Sequence, residues 1–297
     1  MQYSNRNLKN WKNKKGFTLV ELLIAVLISG IVIIEIYNFF NYQQRNYALQ
    51  DQLVEVQQNL RVGMDALSRD LRPIGYGVPS ATSPSAIEKI TAATEKSITF
   101  LANLSDVHTE LTNDYDPAAL SPNDSILYVN SSNGFANGNI IYVTDGAKWD
   151  QATITSVSGP LGTLTISAPL ANPYSVGSTV HVVSTVTYTI DTTDKELTRK
   201  IDSGSAQPVC NNLDYLQFKY YDTNNNIIAN PSPYKNVSLD DIQRISVRKI
   251  SMLLIGKTSR QEQGHSESGT YEDGTSYLDG YHRTRAESDV MLRNLAF

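Results

Sequence analysis

A long apolar stretch near the N-terminus constrains this chain more than any other feature. It runs from Phe17 to Phe40, broken by Glu21, Glu35 and a few small polar residues. As an α-helix it would rise about 36 Å, which exceeds a hydrocarbon core of about 30 Å. No small-x-small cleavage site of an ordinary secretory signal follows it. We therefore expect a membrane-spanning helix that stays on the chain and contacts lipid.

The charge of the chain is distributed very unevenly. Residues 1–16 contain five basic residues and no acidic residue, whereas 20 basic and 30 acidic residues follow, which leaves −10 for the remainder. The basic residues of the N-terminal segment are Arg6, Lys9, Lys12, Lys14 and Lys15. Positive charge before the single membrane span predicts a cytoplasmic N-terminus and an exported body. The acidic remainder is a poor partner for nucleic-acid phosphates, so we expect no nucleic acid among its partners.

A helical pattern continues beyond the apolar stretch. Apolar residues recur in steps of three or four and form one stripe of a helix. The stripe consists of Leu49, Leu53, Val56, Leu60, Met64, Leu67 and Leu71, followed by Ile74. Pro73, Gly75 and Gly77 end the pattern. The sequence thus predicts one helix over 17–72, within a stem domain of 17–76, whose stripe packs on the rest of the chain; a free coiled coil is the alternative.

The remaining residues, 77–297, have the composition of a β-rich head. Runs of β-branched or alternating residues separated by turn signals predict strands. They lie at 97–101, 125–130, 139–144, 152–157, 163–167, 179–190, 213–221, 243–255 and 286–293. The short spacing leaves no room for crossover helices, so the sheets should be mainly antiparallel. The predicted fold class is α+β, with a long hydrophobic stem helix followed by a mainly antiparallel β head.

Two segments of the head have distinct patterns. Residues 135–183 are predicted to form a hairpin-rich module, and residues 257–283 a long exposed loop.

Two groups of tyrosines are also conspicuous. Tyr215, Tyr220 and Tyr221 lie on a predicted strand, where a place in the core is expected, whereas Tyr271, Tyr277 and Tyr281 lie on the predicted loop and could equally form a partner surface.

Residues that would support catalysis or cofactor binding are not found in recognisable patterns. The four histidines are dispersed without metal-ligand spacing, and GxSxG, P-loop and GxGxxG motifs are absent from the sequence. Cys210, the single cysteine, is expected to be a buried, inert thiol, and an interchain disulfide is the alternative. Asp222 to Asn226 begins like a calcium loop, but Ile227 and Pro233 replace the Gly and Glu that such a loop needs, so a turn is expected. Solvated charge before a strand is expected for Asp240 and Asp241, and a noncanonical calcium site formed with other loops is the alternative. We expect no enzyme activity, no cofactor and no metal.

The segment Lys14-Lys15-Gly16-Phe17-Thr18-Leu19-Val20-Glu21 resembles the processing site of type IV prepilins and type II secretion pseudopilins. The resemblance implies that a prepilin peptidase removes a leader of residues 1–16 by cutting between Gly16 and Phe17, and that Phe17 becomes the N-methylated N-terminus. It also implies that Glu21 acts in subunit assembly by pairing with the ammonium of Phe17 or of a neighbouring subunit. A plain signal-anchor is the alternative, and it leaves a carboxylate within the apolar layer unexplained.

Weaker resemblances bracket the chain. Residues 60–76 and 279–295 resemble the stem end and last strand of PilW-like minor pilins and of J-type minor pseudopilins. The first group implies a minor pilin that joins a type IV pilus and helps to initiate or cap the filament, whereas the second implies a subunit of a type II secretion pseudopilus. Expected partners are other minor and major pilins, the peptidase and the inner-membrane assembly platform. An adhesin or glycan-binding head is a third hypothesis.

Overall fold

The computed structural model describes residues 16–83, 85–117, 125–159, 162–228 and 239–295. Helix α1, Leu19–Leu71, is a single helix of 53 residues, as the apolar stretch and the stripe predict. It ends where Pro73 cannot supply a backbone N–H and where Gly75 adopts a φ of +80°. Most of the predicted leader, residues 1–15, lies outside the described residues.

The chain divides into two compact units, one ending at Asp51 and the other beginning at Gln52. The described part of the first unit consists of the start of α1 and the three residues before it. That helix contains an 18-residue window with a mean hydropathy of 2.7 and no buried side chains, long and apolar enough to cross a membrane. The second unit contains the last part of α1 and all the strands.

Sixteen strands and one short helix are described after α1. The strands are β1 (Ile90–Ala93), β2 (Ser97–Ala102), β3 (His108–Glu110), β4 (Ile126–Tyr128), β5 (Ile140–Thr144), β6 (Trp149–Ser158), β7 (Thr163–Ile166), β8 (Thr179–Val182), β9 (Ser184–Asp191), β10 (Glu196–Ile201), β11 (Gln207–Cys210), β12 (Leu213–Tyr221), β13 (Lys249–Lys257), β14 (Glu267–Thr270), β15 (Ser276–Asp279) and β16 (Arg283–Met291). The second helix, α2, spans Asp241–Ser246 and lies between β12 and β13.

These strands form three sheets and a hairpin. The sheets have the orders β1-β2-β9-β10-β11, β12-β13-β16 and β3-β8-β5-β6-β7-β4, and β14 pairs with β15. Every pair of named strands is antiparallel. The first two sheets share one hydrophobic core with the end of α1, and the six-stranded sheet has its own core. The predicted fold class, a long apolar helix followed by an antiparallel β head, is confirmed.

The structure corrects several predicted elements. The run at 243–255 is not one strand, because Asp240 and Gln243 form a capping box that starts α2, and extended backbone at Val247 ends it before β13. The run at 179–190 is split into β8 and β9. The hairpin-rich module at 135–183 begins earlier than predicted, since β3 and β4 belong to its sheet.

The prediction of a long exposed loop at 257–283 is also wrong. This segment contains β14 and β15, whose backbones pair from Glu267 with Asp279 to Thr270 with Ser276. Gly274, with a φ of +83°, lies in the turn between them. The Gly, Ser and Tyr content that indicated a loop therefore belongs to a short hairpin.

Candidate functional site

The predicted cleavage site lies directly before α1. Gly16 and Phe17 are outside the helix, and the Phe17 side chain is 92% exposed. A Cβ added to Gly16 would meet no atom within 4 Å. The peptide bond between these residues is thus exposed and not helical, which is the form of backbone that a peptidase can bind in an extended conformation.

Thr18 and Glu21 form a capping box at the start of α1. The backbone N–H of Thr18 donates to Glu21 Oε2 at 2.8 Å, and the backbone N–H of Glu21 donates to Thr18 Oγ1 at 3.2 Å. The Thr18 hydroxyl also donates to Glu21 Oε2 at 2.9 Å. Two backbone donors that the helix cannot satisfy are therefore bonded. The Thr-x-x-Glu spacing of a capping box is visible in the sequence, where Glu21 is predicted to act in assembly alone.

The predicted stripe lies in the main core over most of its length. Val56, Leu60, Leu67 and Leu71 are buried there, and Met64 is partly buried against the same core. Leu53 and Leu49, nearer the apolar stretch, are half-buried. The stripe from Val56 onward is thus a structural part of the head.

Two glycines allow α1 to approach the sheets closely. A Cβ added to Gly63 would lie 2.6 Å from Cys210 Sγ, and a Cβ added to Gly256 would lie 2.7 Å from Val56 Cγ1. Neither separation is possible for real atoms without movement of the neighbour. Helix α1 and strand β13 can therefore lie this close only because glycine has no side chain. Helical periodicity does not reveal this feature.

A buried carboxylate on α1 joins the helix to the five-stranded sheet. Asp70 is 3% exposed, and its Oδ2 accepts from Arg199 Nε at 2.6 Å and from the Tyr188 hydroxyl at 2.8 Å. Its Oδ1 accepts from Arg69 Nε at 3.1 Å. Burial, with the nearby Asp70 charge, raises the pKa of Tyr188, so this hydroxyl stays protonated and donates. The network fixes the end of the stem by a charged contact in addition to apolar packing.

A second buried network holds the hairpin β14–β15 on the three-stranded sheet. Asp214 accepts from Lys257 Nζ at 2.8 Å, from Arg283 Nε at 3.0 Å and from the Tyr271 hydroxyl. Burial alone would raise the pKa of Asp214, but the Lys257 and Tyr271 hydrogen bonds and the Arg283 charge lower it. The Tyr271 ring also stacks on Tyr215, with centroids 4.6 Å apart. The hairpin is thus attached by both charge and aromatic contact.

The tyrosines differ in their surroundings. Tyr215 and Tyr220 are buried strand residues, as predicted, and Tyr221 is half-buried. In the second group, the Tyr271 hydroxyl donates a hydrogen bond to Asp214. The Tyr277 ring centre lies 3.7 Å from the Arg283 guanidinium, and the Tyr281 ring centre lies 4.7 Å from Lys257 Nζ. These half-buried rings face groups of their own chain.

Several smaller predictions can be compared with the structure. Cys210 is a free, buried cysteine, and burial raises the pKa of its thiol from 9.0 to about 11. Asp222 Oδ1 accepts from the backbone N–H groups of Asn224 and Asn226, each at 2.8 Å, which confirms a turn. Asp240 caps α2, and Asp241 is the first residue of this helix and pairs with Arg244, so the two acids begin a helix and do not precede a strand.

The histidines are not dispersed in the fold as they are in the sequence. The ring of His108 stacks on that of His181 with centroids 5.3 Å apart, and the ring of His265 stacks on that of His282 with centroids 3.8 Å apart. The partners come from different strands or loops. Sequence spacing therefore gave no sign of either pair.

Comparison with known proteins places the clearest similarity at the N-terminus. Residues 11–34 match the model of the prokaryotic N-terminal methylation motif. No sequence match was found among curated proteins. Among solved structures, the type IV-like pilin TTHA1219 from Thermus thermophilus matches with 11% identity and a TM-score of 0.35, covering 81% of this chain and 97% of that one. A TM-score of this size gives no residue correspondence.

The motif match covers Gly16, Phe17 and Glu21 and extends into the apolar part of α1. It confirms the resemblance to type IV prepilins and pseudopilins that the leader residues suggested, while the division between minor pilin and pseudopilin is not decided by it. The motif is followed by a membrane-length helix and an antiparallel β head. The chain therefore carries a prepilin-type N-terminal methylation motif at the start of a membrane-length helix that leads into an antiparallel β head.

Proposed function

We propose that this protein is a PilW-like minor pilin that joins a type IV pilus and helps to initiate or cap the filament. One observation carries the proposal. The segment that matches the methylation motif contains an exposed, non-helical Gly16–Phe17 junction, and a membrane-length helix begins directly after it. The end of that helix is part of the core of the head. The protein is a structural subunit and catalyses no reaction in this proposal.

The resemblance to prepilins implies an order of events for this proposal. The chain first spans the inner membrane once, with residues 1–16 in the cytoplasm and the head outside. Prepilin peptidase cuts after Gly16, and Phe17 becomes the methylated N-terminus. The assembly platform then moves the apolar helix from lipid into a helical bundle with other minor and major pilins, which carries the head to the periplasm or cell surface.

The contacts between stem and head support such a transfer. A subunit that is pulled by its stem must transmit force to its head without separating from it. The stripe from Val56 to Leu71 and the Asp70 network join the two over about four turns of helix. The stripe is thus proposed to keep the end of the stem, from Val56 onward, attached to the head.

Glu21 is proposed to guide assembly. It lies about 6 Å along the helix from Phe17, within the apolar layer, whereas Glu35 lies about 27 Å along and can reach the far interface. The first basic side chain after Phe17 is Arg45, so the cation proposed for Glu21 is a main-chain ammonium. That ammonium belongs to Phe17 or to the corresponding residue of a neighbouring subunit. Such pairing favours a correct register more than it adds stability.

Two sequence features favour a minor subunit over a major one. Major pilins often have a proline partway along the stem and a disulfide near the C-terminus. Helix α1 contains no proline from Leu19 to Leu71, and the chain has a single cysteine. A J-type pseudopilin of type II secretion shares these features and is the alternative. The adhesin hypothesis has lost its main support, because the tyrosines that suggested it contact their own chain.

N-terminal mass analysis of membrane-extracted protein tests the proposal. We expect the recovered chain to begin at Phe17 with one added methyl group, and to keep residues 1–16 in cells that lack the peptidase. Gly16→Leu should block cleavage without loss of folding, because the added side chain enters open space. Recovery of the full-length chain alone from cells with active peptidase would contradict the proposal.

A second experiment separates the two host machines. The gene is deleted, and piliation and secretion of type II substrates are measured in the same cells. A minor pilin predicts loss of surface pili with normal secretion, whereas a J-type pseudopilin predicts the reverse. Co-purification with pilins or with pseudopilins gives an independent readout.

A further inference from the structure

Three metal-ligating side chains meet at the open end of the hairpin β14–β15. Glu262 and His265 precede β14, and His282 follows β15. Their ligand atoms all lie within 4.8 Å of one another, and His282 Nε2 lies 2.7 Å from Glu262 Oε2. His282, 17 positions after His265 and 20 after Glu262, thus joins these two residues in one half-buried cluster. This cluster is distant in sequence from the motif and the stem stripe, and the proposed function does not use it.

The backbone around the cluster is fixed by hydrogen bonds. The N–H of Glu262 donates to Gly280 O at 2.8 Å, and the N–H of His265 donates to Glu262 O at 3.2 Å. The N–H of His282 donates to the hydroxyl of buried Thr258 at 3.1 Å, and Thr258 N–H donates back to His282 O at 2.9 Å. The three Cα positions are therefore held in place, and ligation needs side-chain rotation alone.

The imidazole of His265 is the least satisfied member of the cluster. Its Nε2 is buried and has no hydrogen-bond partner among the described residues, and the nearest carboxylate oxygen, Glu267 Oε2, lies 3.8 Å away. A buried nitrogen without a partner is costly, and a cation at this position would remove that cost.

The donor set selects the type of cation. Two imidazoles and a carboxylate form a ligand set typical of Zn²⁺, which binds nitrogen at about 2.0–2.1 Å, whereas Ca²⁺ and Mg²⁺ require oxygen ligands. Ligand atoms of a tetrahedral zinc site are about 3.3 Å apart at such bond lengths. The His282 and Glu262 atoms, 2.7 Å apart, must therefore separate slightly, and any wider pair within the 4.8 Å limit must move closer. We propose that Glu262, His265 and His282 form a binding site for Zn²⁺ or a similar divalent transition-metal ion.

Binding at this site has a defined chemical and structural consequence. Zn²⁺ binds a ring nitrogen that carries no proton, so if Nε2 of a neutral His282 holds the proton shared with Glu262, that proton leaves and Nδ1 takes one up, with no net release. The metal then links the chain before β14 to the chain after β15, which closes the base of the hairpin. The Asp214 network already holds the hairpin through Tyr271 and Arg283. A bound metal would thus add a second point of attachment, at the base of the two-stranded hairpin β14–β15.

Zinc titration of the untagged full-length chain in detergent tests the site. After treatment with EDTA, the protein competes for Zn²⁺ with a chromophoric chelator. We expect saturable binding of one equivalent, weakened at least about tenfold by His265→Ala and by His282→Ala. His108→Ala is the matched control, because His108 also stacks on a histidine but has no place in the cluster, and its Zn²⁺ affinity should equal that of the parent chain.

Two further measurements make the result decisive. Co²⁺ should give the visible absorption of a site with nitrogen ligands, and an excess of Ca²⁺ should not compete. Glu262→Gln keeps the shape of the side chain but removes its charge. If a histidine variant does not fold, as shown by the loss of a cooperative unfolding transition, the Zn²⁺ affinity of Glu262→Gln is compared with that of the parent chain instead. Absence of saturable Zn²⁺ binding, or equal affinity in His265→Ala, Glu262→Gln and His108→Ala, would overturn the proposal.

Discussion

Replacement of Asp70 by alanine should destabilise the head by removing the charged contact between stem and sheet. The substitution leaves the buried Tyr188 hydroxyl without an acceptor, which costs about 1–3 kcal/mol. It also removes the partner of Arg199. Loss of one partner from a fully buried pair costs about 3–5 kcal/mol, but the Arg199 side chain is 25% exposed and can be partly hydrated. Because alanine is also the better helix former, we expect a net loss of about 2–4 kcal/mol.

Arg69 provides the matched control for this experiment. It bonds to the same carboxylate, but its side chain is 74% exposed, so Arg69→Ala should cost about 0–1 kcal/mol. In a unit of this size 1 kcal/mol corresponds to about 2–4 °C in Tm. Asp70→Ala should therefore lower the Tm by roughly 5–15 °C, and Arg69→Ala by a few degrees at most.

Near-UV circular dichroism of the full chain in a fixed detergent measures these changes, because it follows the tyrosines of the head. The double variant Asp70→Ala with Arg199→Ala should lose less than the sum of the two single losses, by about 1–3 kcal/mol. Equal effects of Asp70→Ala and Arg69→Ala, or additive losses in the double variant, would refute the argument that this network joins stem to head.

Three other predictions follow from the site. Glu21→Val should leave membrane insertion and leader cleavage intact but reduce incorporation into filaments, whereas Glu35→Val should incorporate normally; co-purification with partner subunits measures both. Gly63→Val should destabilise the head by about 1–3 kcal/mol through contact with Cys210, whereas Gly30→Val, in open space, should leave the unfolding of the head unchanged. Because the pKa of Cys210 is raised from 9.0 to about 11, the protonated thiol favours the folded state; the stability advantage of the parent chain over Cys210→Ala should hold below pH 9 and shrink as the pH rises towards 11 in thermal melts.

The stem could be predicted from the sequence because its signals are local. A membrane-length apolar run, a stripe with steps of three and four, and a proline with glycines at the end are each contained in a short window. The strands β2, β5, β7 and β12 have alternating or continuous β-branched patterns of the same local kind. These elements were predicted to within a few residues.

The features that were missed depend on contacts between distant residues. Asp70 lies beside the apolar stripe and has the appearance of a solvated helix residue, and its partner Arg199 is 129 positions away. Contacts between residues that are far apart in the sequence also join Glu262 to His282 and Asp214 to Tyr271. The hairpin β14–β15 was missed because a Gly- and Ser-rich composition is also typical of loops. A hairpin of this composition differs from a loop by its attachment to the sheet, which the sequence does not show. The capping boxes at Thr18 and Asp240 are different, since their spacing was visible in the sequence.

The capping box at Thr18 bears on how Glu21 can serve in assembly. Both Thr18 donors bond to Oε2, so within residues 16–83 the cap occupies one carboxylate oxygen and the other can accept from an ammonium. The cap and the proposed assembly pairing are thus compatible, and they can be separated by chemistry. Glutamine can form the same capping box but carries no charge, whereas valine removes both functions. If charge pairing guides assembly, Glu21→Gln should fail to incorporate as Glu21→Val does; if Glu21→Gln incorporates normally, the residue acts through the start of the helix instead.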